Sequence, residues 1–469
     1  MSDLFAGSGP QGRPDDWHAY QRGRPDLDAP VDAPRPPAEP WAGGDSLVWT
    51  LGAGLVLLVV GALAGRADVA VLGAAPVLGS LWALWARPRG EVWVDVVRTP
   101  PVLGEPDREL TAVLRLAAPP GTEAVRLRIG RPGHAAAEAL VHVPTTRELT
   151  VRASSVRTGR QTLFAVDHQG IGRGAVLTGP AAQAAGRQVV VLPQPREMPA
   201  LPLPSRLRGL SGQHESRRTG DGGSLRDVHP FQPGDTLRAI DWKVTARRSP
   251  QLEQLYVRRT MALAEALVTL VVDSRDDVGP DPATWSGMRP ARPDDATSLD
   301  LARQAAATIA RGYLAVGDRV GVEDLGVRRR ALRPGAGRRQ LDRVVHQLAV
   351  LRPQGAPALR LRPPRLLNGS LVFVFSTFLD PEAADLVQVW ARSGHRVVAV
   401  DVLPRLREQG LDARERLALR MVRIEREDRL ADVVAAGAEL VRWADPDAAT
   451  RLQIMARRSH RRPGRAVGR

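Results

Sequence analysis

The chain has 469 residues, 43% of them hydrophobic, enough for two or three domains with sizeable cores. It contains no cysteine, which excludes disulfides, thiolate metal sites and cysteine nucleophiles. The net charge is +15 at pH 7, and all but one of the 66 basic residues are arginine; that balance admits anionic partners, but arginine on solvated faces is the better account of it.

Residues 1–45 carry eight acids against four arginines among many prolines. Such a composition cannot bury enough apolar surface to offset chain entropy, and it reads as a disordered acidic tail. It has no basic n-region, so it is not read as a secretory signal peptide. Two uncharged runs follow, "SLVWTLGAGLVLLVVGALA" at 46–64 and "VAVLGAAPVLGSLWALWA" at 69–86, joined by "GRAD". Each approaches the roughly 20 residues that span a hydrocarbon core. Trp49, Trp82 and Trp85 sit near run ends, where indoles favour the interface. Residues 46–86 are therefore expected to be a two-span hairpin in contact with membrane lipid. Arg87, Arg89 and Arg98 follow the second run while the turn offers only Arg66, which places the bulk of the chain on the cytoplasmic side of the cell membrane.

Residues 90–192 change texture. "EVWVDVV", "ELTAVLRLAA", "AVRLRIG", "ALVHVP", "ELTVRASSV" and "QVVVLP" are short β-favouring runs between turns, which predicts a small antiparallel β-sandwich. "PQPREMPALPLP" at 193–204 has five prolines and reads as a semi-rigid spacer, opening a polar segment that runs to 264. From 265 to 445 apolar strands alternate with helices. "ALVTLVVD" ends in Asp273. "SLDLARQAAATIARGYLAVG" predicts a helix with Ser298 as N-cap and Gly317 past its end. "RRQLDRVVHQLAVL" and "PEAADLVQVWARSG" read as helices, "SLVFVFST" and "HRVVAVDVL" as buried strands. This alternation predicts an α/β domain with a doubly wound, mostly parallel sheet, which binds ligands beyond the carboxyl ends of its strands. Residues 446–469 are expected to hold a helix end and a basic tail, with six arginines in the last 14 residues.

The only lysine, Lys243, lies within "SRRTGDGGSLRDVHPFQPGDTLRAIDWKVTAR", residues 216–247. This stretch resembles the signature of the bacterial domain of unknown function family 58. The likeness rests on Gly220-Asp221-Gly222, then Pro233-Gly234-Asp235, Arg238, and Ile240-Asp241-Trp242-Lys243 with Ala246-Arg247, in order and spacing. "VVVLPQP" before the spacer and "RTGRQTLFAVDHQGIGR" earlier also resemble the family pattern, and the likeness covers roughly residues 46–445. The chain departs from it at Ser224, where an acid is usual, and at His229-Pro230-Phe231. The resemblance implies a membrane hairpin, a β-rich segment, the signature and a von Willebrand factor A-like domain in succession. On charge alone, Asp221, Asp235 and Asp241 alternate with Arg217, Arg218, Arg238, Lys243 and Arg247 around Gly222 and Trp242, which predicts a knot of paired charges. Such a knot either clamps the spacer onto the α/β domain or presents a docking surface.

The resemblance also implies a metal pocket at Asp-x-Ser-x-Ser after the first strand. Here that place reads Asp273-Ser274-Arg275-Asp276-Asp277, and Thr377 stands where a further acid is expected. A guanidinium adds positive charge and no lone pair. Arg275 is expected to pair with Asp273 or Asp277 and to leave a degenerate pocket formed by Asp273, Ser274, Arg275, Asp277 and Thr377 that holds no metal. No Walker loop and no nucleophile–base pair is present in the sequence, so no enzyme activity and no cofactor are expected. Aromatic residues are only 4% of the chain and no reader motif is recognisable, so nucleic acid is not the expected partner. The expected function is that of a membrane-anchored interaction protein. The resemblance implies a MoxR-type AAA+ ATPase as its partner, in assembly or maintenance of an envelope or enzyme complex. A basic nucleic-acid-binding membrane protein is the alternative, and an enzyme with an unrecognised site a weaker one.

Overall fold

A computed structural model describes residues 40–461, except 99–108, 132–134, 163, 185, 187, 199, 209–211, 221, 287–288, 290–291, 293, 327–330, 354–363 and 365. The chain divides into two compact units. One comprises the residues up to Val156 together with Gln161–Val189, and the other Arg157–Arg160 together with Val190–Arg469.

The first unit opens with strand β1 (Ala42–Gly43), helix α1 (Asp45–Leu63) and helix α2 (Ala67–Trp85). Both helices are long and apolar enough to cross a membrane, with mean hydropathy 2.2 and 1.6. Their ends agree with the two uncharged runs to within about two residues, because charges bound the runs on both sides. They pack through small residues: a Cβ on Gly61 would lie 2.4 Å from the Ala70 nitrogen, and one on Gly73 2.5 Å from the Gly54 oxygen. Thr50 and Ser80 share a hydroxyl–hydroxyl bond of 2.9 Å between the helices.

Nine β-strands follow among the described residues, with β7 and β10 straddling the division between the units: β2 (Trp93–Arg98), β3 (Glu109–Ala117), β4 (Thr122–Gly130), β5 (Ala137–His142), β6 (Thr146–Ser154), β7 (Gly159–Thr162), β8 (Ala165–Gly172), β9 (Leu177–Ala184) and β10 (Gln188–Val191). They form antiparallel sheets in the orders β1-β9-β8-β4-β5 and β2-β3-β6, with β7 and β10 pairing separately. Alternate residues are buried, as in Leu110, Ala112, Leu114 and Leu116 of β3 and Val125, Leu127 and Ile129 of β4. Residues 40–44 were expected in the acidic tail. Instead β1 joins the sheet edge, pairing Ala42 with Thr178 and Gly43 with Leu177. Trp41 is buried beside Ala83, Val176 and Leu177, its indole donates to the Gly90 carbonyl at 2.9 Å, and its own carbonyl accepts from Arg87 at 2.6 Å. Burial of one large indole overrides the polar composition around it. Residues 1–39 of that tail lie outside the described residues.

The described residues of the second unit form two sheets. Strands β11 (His214–Thr219), β12 (Leu225–Pro230) and β13 (Tyr256–Ala264) form an antiparallel sheet in the order β11-β13-β12, with the seven-residue helix α3 (Trp242–Arg248) between β12 and β13 in sequence. The larger sheet is built from β14 (Leu267–Val272), β15 (Arg319–Asp324), β16 (Leu332–Gly335), β17 (Leu371–Ser376), β18 (Arg396–Asp401) and β19 (Glu439–Arg442), in the order β16-β15-β14-β17-β18-β19. All neighbours run parallel except β15 and β16. Its helices are α4 (Ser298–Ala315), α5 (Arg338–Val350), α6 (Pro381–Arg392), α7 (Ala413–Ala435) and α8 (Ala448–Arg461). Val268, Leu270 and Val272 of β14 pack with α4, α5 and α8, while Val271 packs with α6 and α7. Helices therefore cover both faces, which is why the strands are apolar throughout.

Two boundaries and one helix differ from the sequence expectation. The N-cap of α4 is Thr297, whose capping box with Asp300 places Ser298 inside the helix. The pattern of 413–435 does not single out a helix, yet α7, at 23 residues, is the longest helix among the described residues. Helix α8 continues to Arg461 with Ala456 buried, so part of the expected basic tail is helical. The remainder, 462–469, lies outside the described residues.

Candidate functional site

The path of the chain reverses across the sheet between β14 and β17, and a crevice at the carboxyl ends of such strands is where this architecture places ligands. Asp273 follows β14 there and is 6% exposed. Arg275 donates to both of its oxygens, from Nε at 2.7 Å and from Nη2 at 2.8 Å. The same guanidinium reaches Asp380 at 3.0 Å and bonds Glu382, and its side chain is 4% exposed. Ser376 adds a hydroxyl bond to Asp273 at 2.8 Å. Thr377 donates to Asp276 at 3.0 Å. Asp380 caps α6 by accepting from the Glu382 nitrogen at 3.0 Å. Phe378, fully buried, sits at φ 53°, a left-handed conformation unusual for a bulky residue. Its amide donates to the Ser376 hydroxyl at 3.1 Å, and its carbonyl accepts from Arg429 at 3.2 Å. These bonds hold the turn that brings Asp380 back over Arg275.

Burial opposes the charge on Arg275, but Asp273, Asp380 and Glu382 outweigh it, and its pKa stands above the ordinary arginine value. Asp276 responds oppositely: burial first, then the neighbouring Asp273 charge, push its carboxyl up to about 6.

The pairing of Arg275 with Asp273 agrees with the sequence expectation, and the alternative pairing with Asp277 does not form. Asp277 leaves the cluster: its carboxylate accepts from the Leu299 nitrogen at 3.3 Å, at the start of α4. Ser274 also turns away, donating to Asp324 at 2.7 Å. Asp276, Ser376, Asp380 and Glu382 were not anticipated. Asp380 and Glu382 lie three and five residues beyond Thr377, and the signal for them was the Asp-Pro-Glu start of a helix, which turns acids toward the preceding strand end.

Three carboxylates, those of Asp273, Asp276 and Asp380, place oxygens within 4.8 Å of one another, a spacing that could hold a cation. The residues nonetheless do not fit a resident divalent metal. Arg275 already supplies the positive charge and occupies both oxygens of Asp273 and one of Asp380. Magnesium requires free oxygen lone pairs in near-octahedral array, and a guanidinium contributes none. The buried hydroxyls of Ser274 and Ser376 meet carboxylates, and neither pairs with an imidazole among the described residues.

The signature stretch forms a second site of different character. Gly222 follows β11 so closely that a Cβ would lie 2.1 Å from the Met261 oxygen. Gly220 faces Ala262 of β13, Asp221 between the two glycines lies outside the described residues, and so do the side chains of Arg217 and Arg218. Pro233-Gly234 form a turn, with Gly234 at φ 99°. Asp235 closes it by accepting from the Gln232 nitrogen at 2.9 Å, the main reason its pKa is lowered. Its ion pair is with Arg259 of β13 at 3.1 Å. Asp241 is the N-cap of α3, accepting from the Val244 nitrogen at 3.1 Å. Thr245 is fully buried and its hydroxyl accepts from the Tyr256 nitrogen at 3.0 Å.

With Thr245 inward, helical spacing puts Lys243 and Arg247 on the far side of α3, while Ala246 lies on its flank and Trp242, at the first position of the helix, is one turn before Thr245. All four are exposed, Trp242 by 62%. Leu237, 72% exposed, and Arg238 precede them in a short helical turn. The expected knot of paired charges therefore does not form among the described residues. Lys243, Arg238 and Arg247 make no ion pair there, and Asp235 and Asp241 are taken by Arg259 and by the backbone. The alternation of sign along the chain was real, but α3 turns its cations away from the acids.

These features define a mixed α/β protein with two apolar N-terminal helices, a charge-saturated strand-end cluster and an exposed aromatic-basic helix face. Residues 227–420 match the family described as "Protein of unknown function DUF58". No curated protein matches the chain. A family two carbohydrate esterase from Cellvibrio japonicus aligns over 78% of this chain and 95% of its own at 11% identity, with a TM-score of 0.14, a likeness too slight to carry any argument.

Proposed function

We propose that this chain is a membrane-anchored docking protein that binds a protein partner rather than turning over a substrate. In this reading α1 and α2 form the bilayer anchor, with the rest of the chain on the cytoplasmic side. The parallel sheet, helix-covered on both faces, supports reading the α/β part as a doubly wound von Willebrand factor A-like domain. The observation that carries the proposal is the outward face of α3. Trp242 is 62% exposed, and Lys243 and Arg247 of the same short helix are exposed with no counter-charge among the described residues. Exposed indoles flanked by cations are typical anchors of protein interfaces. The saturated cluster around Arg275 supports the absence of chemistry at the strand ends. The family resemblance implies a MoxR-type AAA+ ATPase as the partner, in assembly or maintenance of an envelope or enzyme complex.

Affinity purification from solubilised membranes, at low and high salt, tests the reading. A protein partner held through Trp242 should persist at high salt and disappear with Trp242→Ala and Lys243→Ala combined. Recovery of nucleic acid that is shed steeply with salt would instead favour a basic nucleic-acid binder. A partner retained by the double variant would place docking elsewhere.

A further inference from the structure

Helix α7 has two apolar faces. Leu419, Leu430 and Val433 are buried, as one side of a core-packing helix requires. On the opposite side Leu417, Met421 and Ile424 are 61%, 57% and 56% exposed. Their four- and three-residue spacing keeps them within about 60° on the helix circumference. Spacing of this kind is the seam by which two helices pack side by side.

The charges beside the seam say what covers it. Exposed Arg414, Arg416 and Arg420 occupy the first half of α7, and exposed Glu427, Asp428 and Asp432 the second. None of the three arginines forms an ion pair with a described residue, nor do Asp428 and Asp432; Glu427 bonds Arg442 at 2.6 Å. By helical position Arg414 and Asp432 lie on one edge of the seam, Arg420 and Glu427 on the other, and Asp428 lies in line with it one turn beyond Ile424. A two-fold axis across two antiparallel helices brings like edges together with the halves reversed. Each edge then meets opposite charge, and Met421 meets Ile424 of the second copy. A parallel arrangement would oppose arginines to arginines.

We propose that α7 is a self-association surface, on which a second copy of this chain packs its own α7 antiparallel. The surface is separate from the outward face of α3 and does not depend on docking there. A seam of three apolar residues is small beside the roughly 1,200 Å² of a stable interface. The pairing is therefore weak, and it forms where copies are concentrated.

The cysteine-free chain allows a direct test with the full-length protein in native membranes. Ile424→Cys should give a disulfide-linked homodimer under mild oxidation. Ala418→Cys, exposed but off the seam, should not. Arg414→Cys alone should remain monomeric, yet it should cross-link to a co-expressed copy carrying Asp432→Cys, which fixes the antiparallel sense. Adding Arg420→Glu to Ile424→Cys should lower the yield about tenfold through like-charge opposition, and Glu427→Arg should restore it. Equal yields at 418 and 424, no product at 424, cross-linking of 424 to a different protein, or linkage of Arg414→Cys to itself would each overturn the proposal.

Discussion

The strand-end cluster and the outward face of α3 are built from the same residue types, acids and cations around a structural turn, yet they handle charge in opposite ways. At the cluster, Arg275 is 4% exposed in its side chain and every donor direction described ends on a carboxylate. At α3, the acids are consumed by local geometry, Asp241 as a cap and Asp235 as a turn closure, while Lys243 and Arg247 face solvent. Buried charge must be paired, because leaving water costs several kcal/mol per ion; exposed charge need not be. The first site has thus spent its charge on itself, and the second keeps its charge available to something else.

The widest separation between the two sites should come from Arg275→Ala. It leaves Asp273, Asp380 and Glu382 facing one another without a cation. A loss of about 3 to 5 kcal/mol in urea denaturation is expected, as for other broken buried pairs. A loss below about 1 kcal/mol would mean that the cluster is wetter than its burial implies.

Asp276→Asn should act in the opposite direction and only above a threshold pH. Its folded pKa of about 6 lies above the ordinary carboxylate value, so the native state binds the proton more tightly than the unfolded state. Stability contributed by this group is therefore highest below about pH 4, falls as pH rises to about 6, and stays low above it. The asparagine variant should remove that slope, gaining about 3 kcal/mol at pH 7 and nothing below about pH 4. A parallel offset at all pH values would show that the effect is packing rather than ionisation.

Lys243→Ala should be the smallest change, within about 0.5 kcal/mol of the parent, since nothing described pairs with it. A marked drop in thermal stability would restore a structural role to the lysine and erase the contrast between the sites.

The apolar hairpin was legible because its signal is composition over a long window, and no tertiary partner is needed to read it. The strands of the larger sheet were legible for a similar reason: burial on both faces leaves a continuous apolar run such as "LVFVFS". Arg275 beside Asp273 could be anticipated because two residues of separation allow a local pair. Helix α7 escaped because Leu417, Met421 and Ile424 on its outer face blur the single apolar stripe by which a helix is recognised. Asp380 and Glu382 escaped because they lie more than a hundred residues from Arg275, and no spacing rule spans that interval.

What the sequence determined by itself was the order of elements and the inventory of charge: apolar helices first, β-rich middle, α/β end, one lysine in a stretch of alternating sign. Which of those charges meet was decided only in three dimensions. Alternation along a chain fixes neighbours in sequence, but a helix turns successive residues by about 100° and so sorts them onto different faces. Thr245 facing the Tyr256 amide sent Lys243 and Arg247 outward, whereas the left-handed Phe378 turn carried Asp380 inward to Arg275. The same arithmetic of acids and bases thus yielded a sealed cluster in one place and an open face in the other, because pairing depends on direction and burial as well as on count.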